Sequence, residues 1–419
     1  MTLQSLHFQT VSPVVFNVGC RHKVRPMNAS TSRLMFKGLE DEVYTGLADG
    51  HIVGMPERID HALPGFQTEP DRRNPELITP PARSYEEIGL ALVRIRARLR
   101  RWLQRQGNYT LIPGATMSMG DSRVFHISDP NNKYYQFIRD AYDTRVVTTS
   151  THISIGLDDA ETIVRAARLL RAEACLFLAL TAASPFLDGA VTGHHSMRWV
   201  VFPDSPATVP LFESPREYER FIDEAIADGR MQCNRHLWVS ARPNGPDVPH
   251  HLNRVELRIC DHIYDPRIIL GVAALVEARI QQMVTDPSLD PLVASELPES
   301  TRADDLRQLI EQNEAAVAKH SLGATVRHWQ DGRAQPVREW LETYLVGALA
   351  TAKPLGFGQY LQPLWQILNR GNVAMQWLDQ HKRGASIAAI MEQSVIAMKE
   401  AELLYAEHAP CREAPLGTD

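Results

Sequence analysis

Paired cysteines are missing from this chain. Its five (Cys20, Cys175, Cys233, Cys260 and Cys411) are odd in number, scattered and never spaced C-x-x-C. That argues against a disulfide scaffold and matches reduced thiols in a cytosolic protein. No run approaches the roughly 18 apolar residues that span a bilayer. Charge of one sign is also scarce: the net charge is −6 and the pI near 6.3. Neither nucleic acid nor an acidic membrane is drawn to such a chain. G-x-x-x-x-G-K-[ST] is absent, which excludes an ordinary P-loop nucleotidase, and so is H-E-x-x-H. The N-terminus carries Pro13 in a short apolar stretch, with its basic residues after it, the reverse of a secretory signal. Residues 1–33 therefore read as a loosely ordered arm, and the expected location is the cytoplasm. What is present is globular in balance, 44% hydrophobic and 22% charged, and 419 residues can bury one large core or two ordinary ones.

Element signals begin at Leu34. The stretch 35–46 reads as a strand and turn, and Glu76-Leu77-Ile78-Thr79 as a short strand stopped by Pro80-Pro81. Ser84 followed three places on by Glu87 marks a capping box, opening a helix over 84–106 with Ile88, Leu92, Ile95, Leu99 and Trp102 on one stripe. Its other side carries Arg94, Arg98, Arg101 and Arg105, a solvated face without interleaved aromatics for nucleic acid. Residues 144–157 alternate and are β-branched, predicting a strand; 159–182 predict one helix with a deeply buried second half. Further strands are expected over 197–202 and 253–259, and a helix over 215–226. From about Pro266 helices dominate: 268–284, 301–320, 335–351 and 386–406. The fold class expected is α+β, with an antiparallel sheet in front (34–285), a helical part packed on it (286–407) and a tail (408–419).

Residues two apart on a strand share a face. Glu40 and Glu42 thus point together, as do Glu256 and Arg258, and Ser196 and Arg198; His152 shares a face with Ser154 and Gly156. Two carboxylates side by side repel and are costly to desolvate without a cation between them. A strand face open to water would carry Glu40 and Glu42 equally well. The balance shifts when Glu69, Glu76 and Glu256 are added, because several strands each bring one carboxylate inward among apolar neighbours. Hard oxygen ligands of this kind suit Mg²⁺ or Mn²⁺, which serve phosphate chemistry.

The segments FKGLEDEVYTG, EPDRRNPELITPP, STHISIGL, SPFLDGAVTGHHSMRW and LNRVELRICD, in this order, resemble the glutamate–cysteine ligases, in particular the type of cyanobacteria and some proteobacteria. The resemblance continues through NEAAVAKHSLGATVRHWQDG and GNVAMQWLDQH and covers about residues 34–407. It implies a catalytic domain similar to glutamine synthetase, with a curved, mostly antiparallel sheet forming a funnel for ATP, metal and glutamate. Carried over, Glu40, Glu42, Glu69, Glu76, His152 and Glu256 match positions that hold two or three Mg²⁺ ions. Arg258, beside Glu256, would lie over the transferred phosphoryl group, and Arg198, with Ser196, would hold a glutamate carboxylate by its planar fork. Asp41 stands where an apolar residue is more usual and should point to the other face. The implied activity is the first step of glutathione biosynthesis: ATP activates the γ-carboxylate of L-glutamate, and the amine of L-cysteine displaces phosphate. The implied partners are these small molecules, with no nucleic acid and no membrane, in a monomer or homodimer.

Three other readings remain at this level. His194-His195 and His250-His251 invite a zinc site, but the spacing fits no zinc motif, and loops rimming the funnel suit them better. A binding protein on a ligase scaffold would have no need of all six ligand positions. A ligase using a different amine is compatible with every residue named. Cys175 and Cys260 are expected as buried small apolar residues.

Overall fold

Alternation builds the central strand. In β1 (Lys37–Glu42), Lys37, Leu39 and Asp41 are buried on one face, while Gly38, Glu40 and Glu42 look out from the other. The computed structural model describes residues 34–408 except 56–58 and 64, so the expectations for the arm 1–33 and the end of the tail lie outside the described residues. Along the chain follow β2 (Tyr44–Leu47), β3 (Phe66–Thr68), β4 (Pro75–Ile78), β5 (Tyr109–Ile112) and β6 (Thr151–Gly156). After them come β7 (Phe186–Leu187), β8 (Ala190–Val191), β9 (Ala241–Asn244), β10 (Arg254–Leu257), β11 (Thr325–Arg327) and β12 (Ala334–Pro336). The main sheet is antiparallel throughout, in the order β3-β4-β1-β6-β10-β9. Its register sets Glu40 opposite His152, Glu42 opposite Glu76, and Glu256 opposite Arg242.

The first helices are α1 (Ile59–Ala62), α2 (Tyr85–Gln106), α3 (Lys133–Tyr142), α4 (Ala160–Ala172), α5 (Ala174–Thr181), α6 (Met197–Val201) and α7 (Pro215–Ala227). The later ones are α8 (Pro266–Thr285), α9 (Pro291–Ala294), α10 (Arg302–His320), α11 (Val337–Ala352), α12 (Gln362–Arg370), α13 (Val373–Lys382) and α14 (Ile387–His408). The largest apolar cluster joins the back of the sheet (Leu39, Ile153, Ile155, Val255, Leu257) to α4, α5, α8, α10 and α11. An open antiparallel sheet with helices gathered behind it is the α+β architecture. α8 is long and apolar enough to cross a membrane by composition, at a mean hydropathy of 1.4, but 67% of that window is buried inside the protein. Core packing accounts for its apolarity.

Ser84 caps α2 as expected: its Oγ accepts from Glu87 N at 3.2 Å. Arg94, Arg98, Arg101 and Arg105 face outward. Three expectations need correction. The strand over 197–202 is the short helix α6, because Ser196 Oγ accepts from Trp199 N and starts a helical turn. The strand over 144–157 is shorter, since residues 143–146 form a 3-10 turn and the strand proper runs from Thr151, after an isolated bridge at Ser150. The helix over 159–182 is two, α4 and α5, meeting at Glu173. That carboxylate is wholly buried and accepts from Arg279 Nε (2.8 Å), Tyr344 Oη (2.7 Å) and Trp329 Nε1 (3.1 Å), so the junction is fastened to α8, α11 and the turn after β11.

Beneath β1, Asp41 accepts from Arg96 Nε at 2.8 Å and Nη2 at 2.9 Å, both side chains fully buried. Lys37 pairs with Glu277 of α8 at 3.0 Å, equally buried. Removing one partner of such a pair leaves a bare charge in the core. Arg96→Leu is expected to lower unfolding stability by about 3–5 kcal/mol, read from a urea transition; a change within ~0.5 kcal/mol would show that Asp41 is compensated otherwise.

Candidate active site

The open face of the sheet gathers the charge that the sequence distributes. Glu40 and Glu42 come from β1, Glu76 from β4, His152 from β6, Arg242 from β9 and Glu256 from β10. Glu69 enters from the end of β3, and Arg258 follows β10. Seven of these eight, all but the fully buried Glu256, line a cavity of about 120 Å³ with Tyr134, Phe202, Arg235 and Trp238 among its other walls. All six residues marked as ligand candidates meet there, in two trios. Glu40, His152 and Glu256 can bring one ligand atom each within 4.8 Å of one another, and so can Glu42, Glu69 and Glu76.

The two trios differ electrically. Glu256 accepts from Arg242 Nε at 2.9 Å, from Arg258 Nη1 at 2.5 Å and from Asn244 Nδ2. Burial opposes its charge, but the guanidiniums of Arg242 and Arg258 and the nearby His152 outweigh it and hold the carboxyl well below its ordinary range. His152 is fixed between strands, with Nε2 2.8 Å from Ser150 Oγ and Nδ1 3.4 Å from both Glu40 Oε2 and Arg258 Nη1. Ser150 Oγ in turn donates to Glu42 at 2.6 Å.

Among the described residues, no guanidinium is bonded to Glu42, Glu69 or Glu76, and Arg235 acts on Glu69 and Glu76 only from a distance. Burial, then the charge of Glu42, pushes the Glu69 carboxyl up to about 7. Burial and the charges of Glu69, Glu40 and Glu42 raise Glu76 well above the carboxylate range. Asn74 also lines the cavity, and its buried Oδ1 has no hydrogen-bond partner among the described residues. Crowded acceptor oxygens and an orphaned carbonyl oxygen fit a hard divalent cation. The residues that could hold one are Glu42, Glu69 and Glu76, with Glu40, His152 and Glu256 as a second, mixed set.

Ser196 and Arg198 lie elsewhere than their expected strand face. Ser196 Oγ donates to Asp261 at 2.8 Å. Arg198 is 2% exposed and donates to the carbonyls of Ile259 (3.2 Å) and Arg258 (3.3 Å), so it is packed behind the cavity wall. The histidine pairs do not line the cavity: His195 Nδ1 meets Ser321 Oγ at 2.6 Å, and His250 and His251 are exposed. Cys175 and Cys260 are buried, and burial raises both thiols, Cys260 to about 12.

Sequence reading missed Arg235, Arg242, Asn244 and Trp238. Pro243 reads as a loop signal, yet β9 is an edge strand, where a residue without an N–H is tolerated. The alternation of Arg242 and Asn244 around that proline was the available clue.

Raised carboxyl pKa values make a stability prediction. The folded chain binds more protons than the unfolded one between the ordinary 4.5 and about 7 at Glu69, so its stability falls as pH rises through that window. With a chelator present, the Tm is expected to drop across this range. Added Mg²⁺ should raise it, and more so at the upper end, because the cation binds the deprotonated form. A Mg²⁺ effect that is the same at both ends would refute the crowding.

The model of Glutamate-cysteine ligase family 2 matches residues 37–395. A protein of Frankia casuarinae named "Putative glutamate--cysteine ligase 2-1" is 26% identical over 323 residues, 76% of this chain and 80% of that one. A namesake in Frankia alni is 29% identical over 230 residues, 54% of this chain and 56% of its own length. Among solved structures, the glutamate–cysteine ligase of Francisella tularensis in complex with AMP superposes with a TM-score of 0.69 at 12% identity, covering 91% of this chain and 95% of that one. A bifunctional glutathione synthetase from Pasteurella multocida gives 0.68 at 15%, covering 88% of this chain and 53% of its own. At such identities these structures establish the fold. With its family match spanning most of its length, the chain belongs to glutamate-cysteine ligase family 2 and is a carboxylate–amine ligase.

Proposed function

We propose that the protein joins the γ-carboxylate of L-glutamate to the amine of L-cysteine with ATP hydrolysis, giving γ-glutamylcysteine, the first step of glutathione biosynthesis in the type its motifs resemble. The observation that carries this reading is the Glu42–Glu69–Glu76 trio, a crowd of carboxylates in which those of Glu69 and Glu76 are held above their ordinary range. In the reaction, a glutamate γ-carboxylate oxygen attacks the γ-phosphorus of ATP, and the bridge to ADP breaks. The amine nitrogen then attacks the acyl phosphate carbon, phosphate leaves and the nitrogen loses a proton. Mg²⁺, or Mn²⁺, held by the acidic residues would neutralise the phosphate oxygens. Arg258 supplies fixed positive charge beside them, since Glu256 and its bonded Arg242 keep its guanidinium in place.

A groove of about 580 Å³ runs on from Glu40 along the same sheet face, floored by Gly38, Ser154 and Gly156 and edged by Phe36, Ile78 and Arg254. It supports a nucleotide lying along the strands with its phosphates at the acidic residues. The free thiols of Cys175, Cys233 and Cys260 suit the reducing cytoplasm as its location.

Phosphate release from ATP is expected to require L-glutamate and Mg²⁺ or Mn²⁺ together and to quicken with L-cysteine. An amine panel with mass detection of the product tests the acceptor; background hydrolysis with every amine would sink the ligase reading. Glu42→Gln and Glu76→Gln should each cut kcat at least about a hundredfold while the chain stays folded; near-normal turnover would remove them from the metal set. Arg198→Lys separates two roles. If the guanidinium reaches glutamate, the glutamate KM rises; if it holds the Arg258 carbonyl, kcat falls. Its burial favours the second outcome.

A further inference from the structure

Among the described residues, Arg235 is a cation with no directly bonded counter-ion; Glu69 and Glu76 act on it only from a distance. It lies in the 3-10 turn Asn234–His236 between α7 and β9 and lines the cavity that holds Glu42, Glu69 and Glu76. Among the described residues, its guanidinium makes no ion pair and donates no hydrogen bond. The other guanidiniums here are committed: Arg242 and Arg258 to Glu256, and Arg198 to two main-chain carbonyls. Arg235 therefore keeps its full fork of five N–H donors unspent.

The ground beneath it is built. Its guanidinium carbon stands 6.0 Å from the centre of the Tyr134 ring. Tyr134 Oη is 3.1 Å from Nε2 of His236, which is wholly buried. That imidazole stacks on Phe137 at 5.6 Å and 15° and meets Trp238 at 5.2 Å. Burial, then the charge of Arg235, moves His236 down to about 4, so near pH 7 it is neutral and adds no repulsion to the neighbouring guanidinium. Arg235 also borders an adjoining cavity of about 210 Å³ with Asn244 and Asp247, which gives room beyond the carboxylates. Arg235 is solvent-exposed, and Glu69 and Glu76 attract it from a distance; with those carboxylates facing a metal ion, a substrate carboxylate has an open approach to its fork.

We propose that Arg235 determines amino-acid specificity by receiving the α-carboxylate of a substrate in a two-pronged contact, with the Tyr134 ring behind it. The inference rests on the ligase reading above. The carboxylate can belong to glutamate or to the acceptor amino acid, and the test separates the two.

Full-length wild type and Arg235→Met are compared on L-glutamate against its α-amide, L-isoglutamine, and on L-cysteine against cysteamine, which lacks the carboxylate. The wild type is expected to prefer the carboxylate-bearing member of one pair by about ten- to a hundredfold in kcat/KM. In the variant that preference should collapse to within about twofold, with the KM for ATP unchanged. Collapse on the isoglutamine pair assigns the glutamate carboxylate; collapse on the cysteamine pair assigns the acceptor. Both preferences kept in Arg235→Met would overturn the proposal. Because the Arg235 guanidinium makes no hydrogen bond, the urea midpoint should not move. If the wild type shows no glutamate-dependent phosphate release, the ligase reading falls by itself. Arg235 is then judged by calorimetric titration with L-glutamate and L-cysteine, where equal affinities in wild type and variant overturn it.

Discussion

Like charges crowded on one sheet face set the terms for the rest of this structure. Glu40, Glu42, Glu69, Glu76 and Glu256 converge within a few ångströms because antiparallel register puts Glu42 against Glu76 and Glu40 against His152. Such an arrangement is unfavourable in isolation, and the protein offsets it unevenly. Around Glu256 it supplies Arg242, Arg258 and Asn244. Around Glu42, Glu69 and Glu76 it supplies little, so the Glu69 and Glu76 carboxyls hold their protons to higher pH. The difference marks which part of the face is complete and which part could hold a cation.

Holding carboxylates against their repulsion needs a stiff support, and the back of the sheet provides it. Asp41 and Lys37, on the buried face of the same strand that carries Glu40 and Glu42, are tied to Arg96 of α2 and Glu277 of α8. The helical part reaches the site as well. The main-chain N–H groups of His195 and Ser196 donate to Ala318 of α10, and Trp199 Nε1 donates to Glu314 of the same helix. Arg198, between them, holds the carbonyl of Arg258. The helices behind the sheet therefore take part in placing a guanidinium on its front.

The site was legible in proportion to how local its signals were. Glu40 with Glu42, and Glu256 with Arg258, declare their shared face by spacing alone, and the Ser84 cap declares the start of α2. Arg198 misled because 197–202 is β-rich by composition, while the deciding bond, Ser196 Oγ to Trp199 N, is a capping contact that composition does not reveal. Arg242 and Asn244 were hidden by Pro243, and Arg235 by lying in an irregular turn. Arg96 and Arg100 stand among the arginines of the basic helix, yet their charges are buried against Asp41 and Glu402 from distant segments, which no local signal reveals.

By itself, then, the sequence determined the α+β class, the inward carboxylates and the family resemblance, because side-chain period and ordered motifs are properties of neighbouring residues. Only the tertiary structure decided which carboxylates are compensated and which are not. That depends on cations delivered from other strands and turns, with Arg242 arriving beside Glu256, Arg198 turned away behind the wall, and Arg235 left over the cavity with its donors unbonded among the described residues.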